Sequence, residues 1–204
     1  MADKQYIFLQ GTCLWARVLK DMPAAPGDET NTMCKLMIEC DKTKFRALQK
    51  KGLSSMAKLY DADECFGKNE EGDFNPVPEE LQEKVEGKTF INVKRTVKFY
   101  SERQGKEYDF GLPKVVDNFG DDVTAEIGNG SECIIKCEVV PYNFKGKTGI
   151  KLNLEAMKVT DHLEFVSEPK EDKTLDGFEF AKKEVKEVAA DNDDGLFDVP
   201  AEFM

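Results

Sequence analysis

Runs of alternating apolar and polar residues recur along the chain and predict short strands. The clearest runs are residues 32–40 and 88–100, where alternate positions are mostly apolar, as expected for strands with one face on a core. The pattern of residues 5–19 indicates a strand that Gly11 interrupts with a bulge or a sharp bend. The remaining predicted strands are residues 108–116, 132–142 and 150–160.

Two short helices are predicted between the second and third strands. Asp41 is a suitable N-cap for a helix over residues 42–51, and Pro78 begins a helix that ends at Gly87. The pattern further predicts a helical piece over residues 54–59 and a polar insertion loop over residues 60–78.

This order of elements predicts a mainly β domain. Short strands with intervening turns, and no alternation of strands with crossover helices, are typical of a closed or half-closed antiparallel barrel. We therefore expect an OB-fold, a five-stranded antiparallel barrel with an inserted helix and long loops, over residues 1–160. A β-sandwich is the alternative. Beyond the barrel we expect a linker with a marginal helix over residues 161–190 and a flexible, disordered acidic tail over residues 191–204.

The net charge of −11 is distributed unevenly. Residues 161–204 hold 14 acidic and 5 basic side chains, whereas residues 1–160 hold 26 acidic and 24 basic ones. The body of the chain is thus nearly neutral and has room for basic faces. The total charge therefore does not exclude an anionic partner.

Cysteine usage and hydropathy indicate the compartment. The six cysteines are scattered and form no CxxC pair, which favours reduced thiols over a disulfide framework. No apolar run approaches the roughly 20 residues that a membrane span requires, and the N-terminal residues show no secretory pattern. We expect a cytoplasmic protein without a membrane partner.

The residue chemistry gives no indication of an enzyme. The single histidine, His162, removes most histidine-based nucleophile and metal schemes. No Walker motif or GxGxxG motif is present. We therefore expect no catalytic residue, no metal site and no cofactor.

Cations and aromatic residues do gather at predicted solvent-facing positions. A surface for single-stranded nucleic acid needs cations for the phosphates and exposed rings for base stacking. One group lies on and just after the strand 88–100, a second lies in residues 140–147, and other strands add to both. The candidate DNA-binding residues are Lys94, Lys98, Tyr100 and Arg103; Tyr142, Phe144, Lys145 and Lys147; Lys136 and Lys151; and Lys35 and Trp15, the last with Arg17 close by.

Two segments resemble a known family. SECIIKCEVVPYNF over residues 131–144 and GIKLNLEAMKV over residues 149–159 are similar to the C-terminal half of phage-encoded single-stranded DNA-binding proteins of the podophage replication type. The Pro-Tyr-x-aromatic step at residues 141–144 and the Lys-Leu-x-Leu-Glu run at residues 151–155 match best. Residues 113–117 are also similar.

The resemblance implies an OB-fold protein that coats single-stranded DNA in phage DNA replication, recombination and repair, often with annealing activity. It assigns DNA contacts to Tyr142 and Phe144. It also implies replication proteins as partners, a homodimer, and the host cell cytoplasm as the location. Weaker binding to duplex DNA is a further expectation.

The acidic tail resembles a DNA strand in its charge and in its capacity for stacking. A tether gives such a segment a high effective concentration, so it would occupy the cationic groove until DNA displaces it. The released tail would then recruit a polymerase or a helicase. The residues predicted to act in this way are Asp191, Asp193, Asp194, Phe197, Asp198, Glu202 and Phe203. The alternative function is a β-barrel adaptor that binds other proteins, and no DNA, through this tail.

Overall fold

The alternating stretches form strands in the computed structural model, which describes residues 4–28, 30–144 and 146–165, without the side chains of residues 144 and 147. The strands are β1 (Tyr6–Pro23), β2 (Thr32–Glu39), β3 (Leu59–Asp61), β4 (Thr89–Ser101), β5 (Lys106–Asp109), β6 (Lys114–Val116), β7 (Ser131–Phe144) and β8 (Lys147–Asp161). The long strands β4 and β7 are rich in valine, isoleucine and aromatic residues, which fit a pleated, half-buried surface.

Three short helices lie between β2 and β4: α1 (Lys42–Lys50), a 3₁₀ helix (Asp63–Phe66) and α2 (Glu79–Val85). Asp41 caps α1 as predicted, because its carboxylate accepts a hydrogen bond from the Lys44 backbone N–H at 2.8 Å. Helix α1 buries Phe45 and Leu48 in the main core. The helix predicted after Pro78 is confirmed as α2.

Five of the strands close a barrel in the order β1, β2, β4, β8, β7 and back to β1. All neighbours are antiparallel except β4 and β8, which run parallel and share one bridge, between Lys94 and Asn153. The short strands β3 and β5 add to β4, and β6 adds to β8. This closed barrel with inserted helices confirms the predicted OB-fold, and the sandwich alternative is wrong.

The inward-facing side chains of the five barrel strands form the main core. They include Leu36, Ile38, Ile91, Val93, Ile135, Leu154 and Met157, all at most 2% exposed. Burial of an aliphatic side chain of this size stabilises the fold by about 1.5–3 kcal/mol. The side chains that alternate with these residues point outward and are available for a functional surface.

The segment between α1 and β4, residues 59–88, covers one end of the outer face of the barrel. Leu14, Met37 and Phe90 point away from the main core, yet they are buried in a second cluster with Ala62, Cys65 and Val85 of the segment. The sequence pattern places Phe90 on the outer face, and the covering segment explains why it is fully buried. This acidic segment, residues 59–88, is called the insertion.

Two predicted elements, the strand 108–116 and the helical piece 54–59, were wrong. The predicted strand 108–116 is two strands, β5 and β6, which pair with different partners. Pro113 lies between them and has no N–H to donate to a sheet. Residues 54–59 are not helical, because the Ser54 N–H donates to the Ile150 carbonyl at 2.9 Å and ties this segment to β8.

Gly11 does not interrupt β1. It pairs in register with Cys133 of β7, and the two register shifts of β1 against β2 fall between Leu14 and Arg17 and between Arg17 and Met22 instead. Gly11 has a φ of +146°, and a Cβ there would lie 2.8 Å from the Cβ and the carboxylate of Glu39. The glycine is therefore required by the close approach of β2.

All six cysteines are buried and free. Burial raises the pKa of Cys34 to about 11 and that of Cys65 to about 12, because desolvation disfavours the thiolate. The thiols therefore behave as small apolar core residues. Within the described part of the chain, no helix is long and apolar enough to cross a membrane.

Candidate nucleic-acid interface

Three cations stand side by side on the outer face of the barrel. Lys35 of β2 lies opposite Arg17 of β1 on one side and opposite Lys94 of β4 on the other. Residues paired across antiparallel strands share a face of the sheet, and the neighbouring Leu36 and Val93 are buried in the core. The three side chains thus form one row across three strands, called the basic row.

None of the three cations of the basic row forms an ion pair within the described residues. Other lysines are compensated, as Lys88 is by Glu39 at 2.9 Å. Like charges opposite each other on adjacent strands are destabilising. An anion laid across the row would relieve that repulsion.

A groove of about 300 Å³ separates β4 from β8 next to the basic row. It exists because the two strands are joined by only one bridge. Lys94 and Lys151 both line the groove, together with the amide side chain of Asn153 and the apolar side chains of Ile91 and Leu152. The structure thus brings together two of the predicted lysines with polar and apolar surface between them.

Tyr142 lies on the β7–β8 hairpin near the end of this groove. Its hydroxyl donates to the Ser54 Oγ at 3.1 Å, and Ser54 also lines the groove. Its ring lies over Gly149, where a Cβ would come within 2.9 Å of the Tyr142 Cε1 atom. Tyr142 is half-buried, so the hydrogen bond and the glycine fix a ring that remains partly open to a ligand.

Phe144 and Lys147 face each other in the backbone register of the same hairpin. Lys145 and the tail residues 191–204 lie outside the described residues. The predictions for their side chains therefore stay predictions.

The far end of β4 carries Lys98 and Tyr100 on the same side as Lys94, and Arg103 is exposed in the turn that follows. Tyr100 is 41% exposed, and its backbone N–H donates to the Asn31 side chain at 2.9 Å. These three predicted residues thus continue from the basic row toward the β1–β2 loop.

The β1–β2 loop has a defined shape because Asp28 organises it. The Asp28 carboxylate accepts hydrogen bonds from the backbone N–H of Asn31 at 2.9 Å and from its side-chain amide. These bonds, with those from Thr30, lower the pKa of Asp28 to about 2. The loop that borders the basic row is therefore anionic at this point at neutral pH.

Two predicted residues, Trp15 and Lys136, are not members of the basic row. Trp15 is held at the edge of the insertion, where its indole N–H donates to the Cys65 carbonyl at 2.9 Å and its ring packs edge-on against Phe66. Its backbone has a φ of +53°, and its N–H donates to the Asn129 side chain. Lys136 lies on β7, with its ammonium 3.9 Å from the Tyr6 ring centroid.

Charge is segregated within the body of the chain. Residues 61–86 of the insertion hold ten carboxylates and two lysines. The other residues up to 160 hold 16 acidic and 22 basic side chains, a net charge of +6. The insertion covers the side-chain row of Leu14 and Met37, immediately beside the basic row. An anionic polymer on the row would therefore be repelled on the insertion side.

Sequence reasoning missed Ser54 and Asn153 as groove residues. They come from segments that meet only where β4 and β8 close the barrel, and neither residue type stands out in the sequence. The charge of the insertion, in contrast, can be counted from the sequence. Among the described residues, no group of three or more histidine, cysteine or carboxylate side chains is placed to hold a metal ion.

No family model matches the sequence, and no curated protein matches it. Solved structures do resemble the chain. Gp2.5, a single-stranded DNA-binding protein encoded by bacteriophage T7, is 18% identical over 89% of this chain and 98% of that chain, with a TM-score of 0.49. The single-stranded DNA-binding protein from bacteriophage Enc34 in complex with ssDNA is 14% identical over 78% of this chain and 88% of that chain, with a TM-score of 0.43. A C-terminal truncation of the Enc34 protein gives a TM-score of 0.45 at 14% identity over 78% of this chain and 87% of that chain. These structural neighbours are phage single-stranded DNA-binding proteins.

Proposed function

We propose that this chain is a single-stranded DNA-binding protein that coats DNA without sequence preference in phage replication, recombination and repair. The observation that carries the proposal is the uncompensated basic row and the groove beside it. The row crosses the outer face of β2 and β4, the second and third strands of the barrel, and the groove borders β4. OB-folds bind oligonucleotides on this face and with the loops that join their first and last pairs of strands. Here those loops are the β1–β2 loop and the β7–β8 hairpin.

The chemistry of this surface suits a flexible anionic strand. Arg17, Lys35, Lys94 and Lys151 meet phosphates, and Tyr142 and Tyr100 offer rings for stacking. Stacking contributes roughly 1–3 kcal/mol per base and tolerates any sequence, because every base has a π-face. Lys98, Arg103, Phe144, Lys145 and Lys147 extend the contacts at the two ends in this proposal.

The acidic tail acts as a competitor in this proposal. Residues 191–204 carry five carboxylates and two phenylalanines, and the tether keeps them at a high effective concentration near the basic row. Single-stranded DNA displaces the tail, and the released tail recruits a replication polymerase or helicase.

The test is a titration of a labelled oligo-dT with the full chain and with a chain that ends at residue 190, each at low and high salt. We expect salt-sensitive binding by both chains and tighter binding by the shorter one, since the competitor is gone. A full-length variant with the five tail carboxylates changed to amides separates the effect of charge from that of length. No binding by any chain at low salt would overturn the DNA-binding function and favour the adaptor. Equal affinities of the full chain and the shorter chain for oligo-dT would refute only the competition between the tail and DNA.

Recruitment is tested separately, by measuring the binding of a replication polymerase or helicase to both chains in the presence of oligo-dT. Binding that requires residues 191–204 supports recruitment. Equal binding by the two chains contradicts it.

A further inference from the structure

A second surface of aromatic and cationic side chains lies on the outer face of β1 and β7, away from the basic row. Phe8 is 65% exposed and Tyr6 is 37% exposed, although both lie within a long barrel strand. The intervening Ile7 packs against the main core and Leu9 is buried in it, so the two rings share the solvent face. Phe8, Tyr6 and Lys136 are called the second surface.

Lys136 joins the two rings. It is paired with Phe8 across the β1–β7 ladder, and its ammonium lies 3.9 Å from the Tyr6 ring centroid. The nearby carboxylate of Glu138 is already paired with Lys4 at 3.2 Å, and Lys136 has no ion pair within the described residues. The second surface therefore offers two rings whose Cα atoms lie about 7 Å apart along a strand, with a cation free of ion pairs over the Tyr6 ring.

The chemistry of the second surface favours a nucleic acid over a second protein chain. The next residue in the ladder after Lys136 is Ala156 of β8, a small side chain that leaves the surface flat, and the exposed Lys158 lies near it. An apolar protein surface would bury the Lys136 charge without a partner, which is costly. A base and its phosphate would satisfy the rings and the cation together.

The strand register connects this surface to the groove. Lys94 is bridged to Asn153, Asn153 is paired with Glu138, and Glu138 is paired with Tyr6. These three steps cross neighbouring strands about 4.8 Å apart, so Tyr6 lies about 14 Å from Lys94 along the barrel surface. A polynucleotide that leaves the groove over β8 and β7 reaches the second surface directly.

We propose that Tyr6, Phe8 and Lys136 form a second subsite for single-stranded DNA, reached by the strand that occupies the groove. This subsite rests on the proposed function. It predicts that the affinity for oligo-dT keeps rising when the oligonucleotide is longer than the groove alone can hold.

The test compares oligo-dT of about 4 and about 16 nucleotides, the limits of site size for single OB-folds. Phe8→Ala should lower the affinity for the long oligonucleotide by roughly 5- to 150-fold, the loss of one stacked base, and leave that for the short one unchanged. Lys136→Gln should likewise lower the affinity for the long oligonucleotide and leave the affinity for the short one unchanged. The matched control is Phe74→Ala. Lys68 lies over the Phe74 ring at 4.6 Å, as Lys136 lies over the Tyr6 ring, but this pair belongs to the acidic insertion. Phe74→Ala should leave both affinities unchanged.

The outcomes separate this inference from the function on which it rests. If the wild-type chain binds neither oligonucleotide, the proposed function fails. If it binds both and Phe8→Ala binds the long one equally well, only the second subsite is overturned. Sedimentation of each chain without DNA supplies the other decisive result: a wild-type dimer that Phe8→Ala dissociates would show that the surface is a protein interface. Unchanged thermal unfolding of Phe8→Ala confirms that the fold is intact.

Discussion

Replacing Lys35 and Lys94 together by glutamine should weaken the dependence of oligo-dT affinity on salt. Both side chains belong to the basic row, and neither forms an ion pair within the described residues. Glutamine keeps most of the side-chain length and removes the charge. The change therefore deletes phosphate contacts without deleting an intramolecular bond.

The magnitude follows from counterion release. Each phosphate neutralised on a single strand contributes about 0.7 to the slope of log affinity against log salt, so two lost contacts lower the slope by about 1.4. Between about 50 and about 200 mM NaCl, the wild-type chain should lose about sevenfold more affinity than the double variant. The variant should also bind more weakly at the lower salt concentration.

The assay is fluorescence anisotropy of a labelled oligo-dT at a series of NaCl concentrations. Lys42→Gln with Arg46→Gln is the matched control, because it removes two exposed charges of α1 that do not line the groove. A wild-type slope in the double variant would refute the role of the basic row. The same reduction in the control would show that net charge, and not the row, sets the slope.

Four further results are expected. Gly11→Ala should destabilise the fold by about 1–3 kcal/mol in urea denaturation, more than Gly105→Ala, because a Cβ at Gly11 also meets Glu39 at 2.8 Å. Desolvation alone would raise the pKa of Glu39, but with hydrogen bonding by Lys88 the pKa is lowered overall. The free energy of unfolding should therefore fall as the pH drops below about 4.5, and it should fall by less in Glu39→Gln. None of the six cysteines should react with a thiol reagent at pH 8 in the native state, and all should react in denaturant, because all six are buried and burial raises the pKa values of Cys34, Cys65 and Cys137. Tyr142→Ala should weaken oligo-dT binding by about 1–3 kcal/mol, whereas Tyr142→Phe, which loses only the bond to the Ser54 hydroxyl, should bind nearly as well as the wild type.

The alternation of side chains made most of the strands predictable. Strand β2 shows it clearly, since successive side chains of any strand point to opposite faces for steric reasons that are local to the backbone. The same local reasoning identified Asp41 as a helix cap and Lys35 and Lys94 as outward residues. It did not separate β5 from β6, because their different partners lie far away in the sequence.

The sequence by itself determined which side chains alternate outward, where the acidic residues concentrate, and that the chain is mainly β, with a small barrel expected and a sandwich still open. Only the tertiary structure decided that Arg17, Lys35 and Lys94 stand in one row, because the register of three strands sets their alignment. It also decided that Lys94 and Lys151 share a groove, which depends on one bridge between strands distant in the chain. Periodicity is a local property of the backbone, whereas register and closure follow from the packing of the whole core. That is why Lys35, Lys94 and Lys151 could be named as outward-facing cations from the sequence, while their arrangement could not.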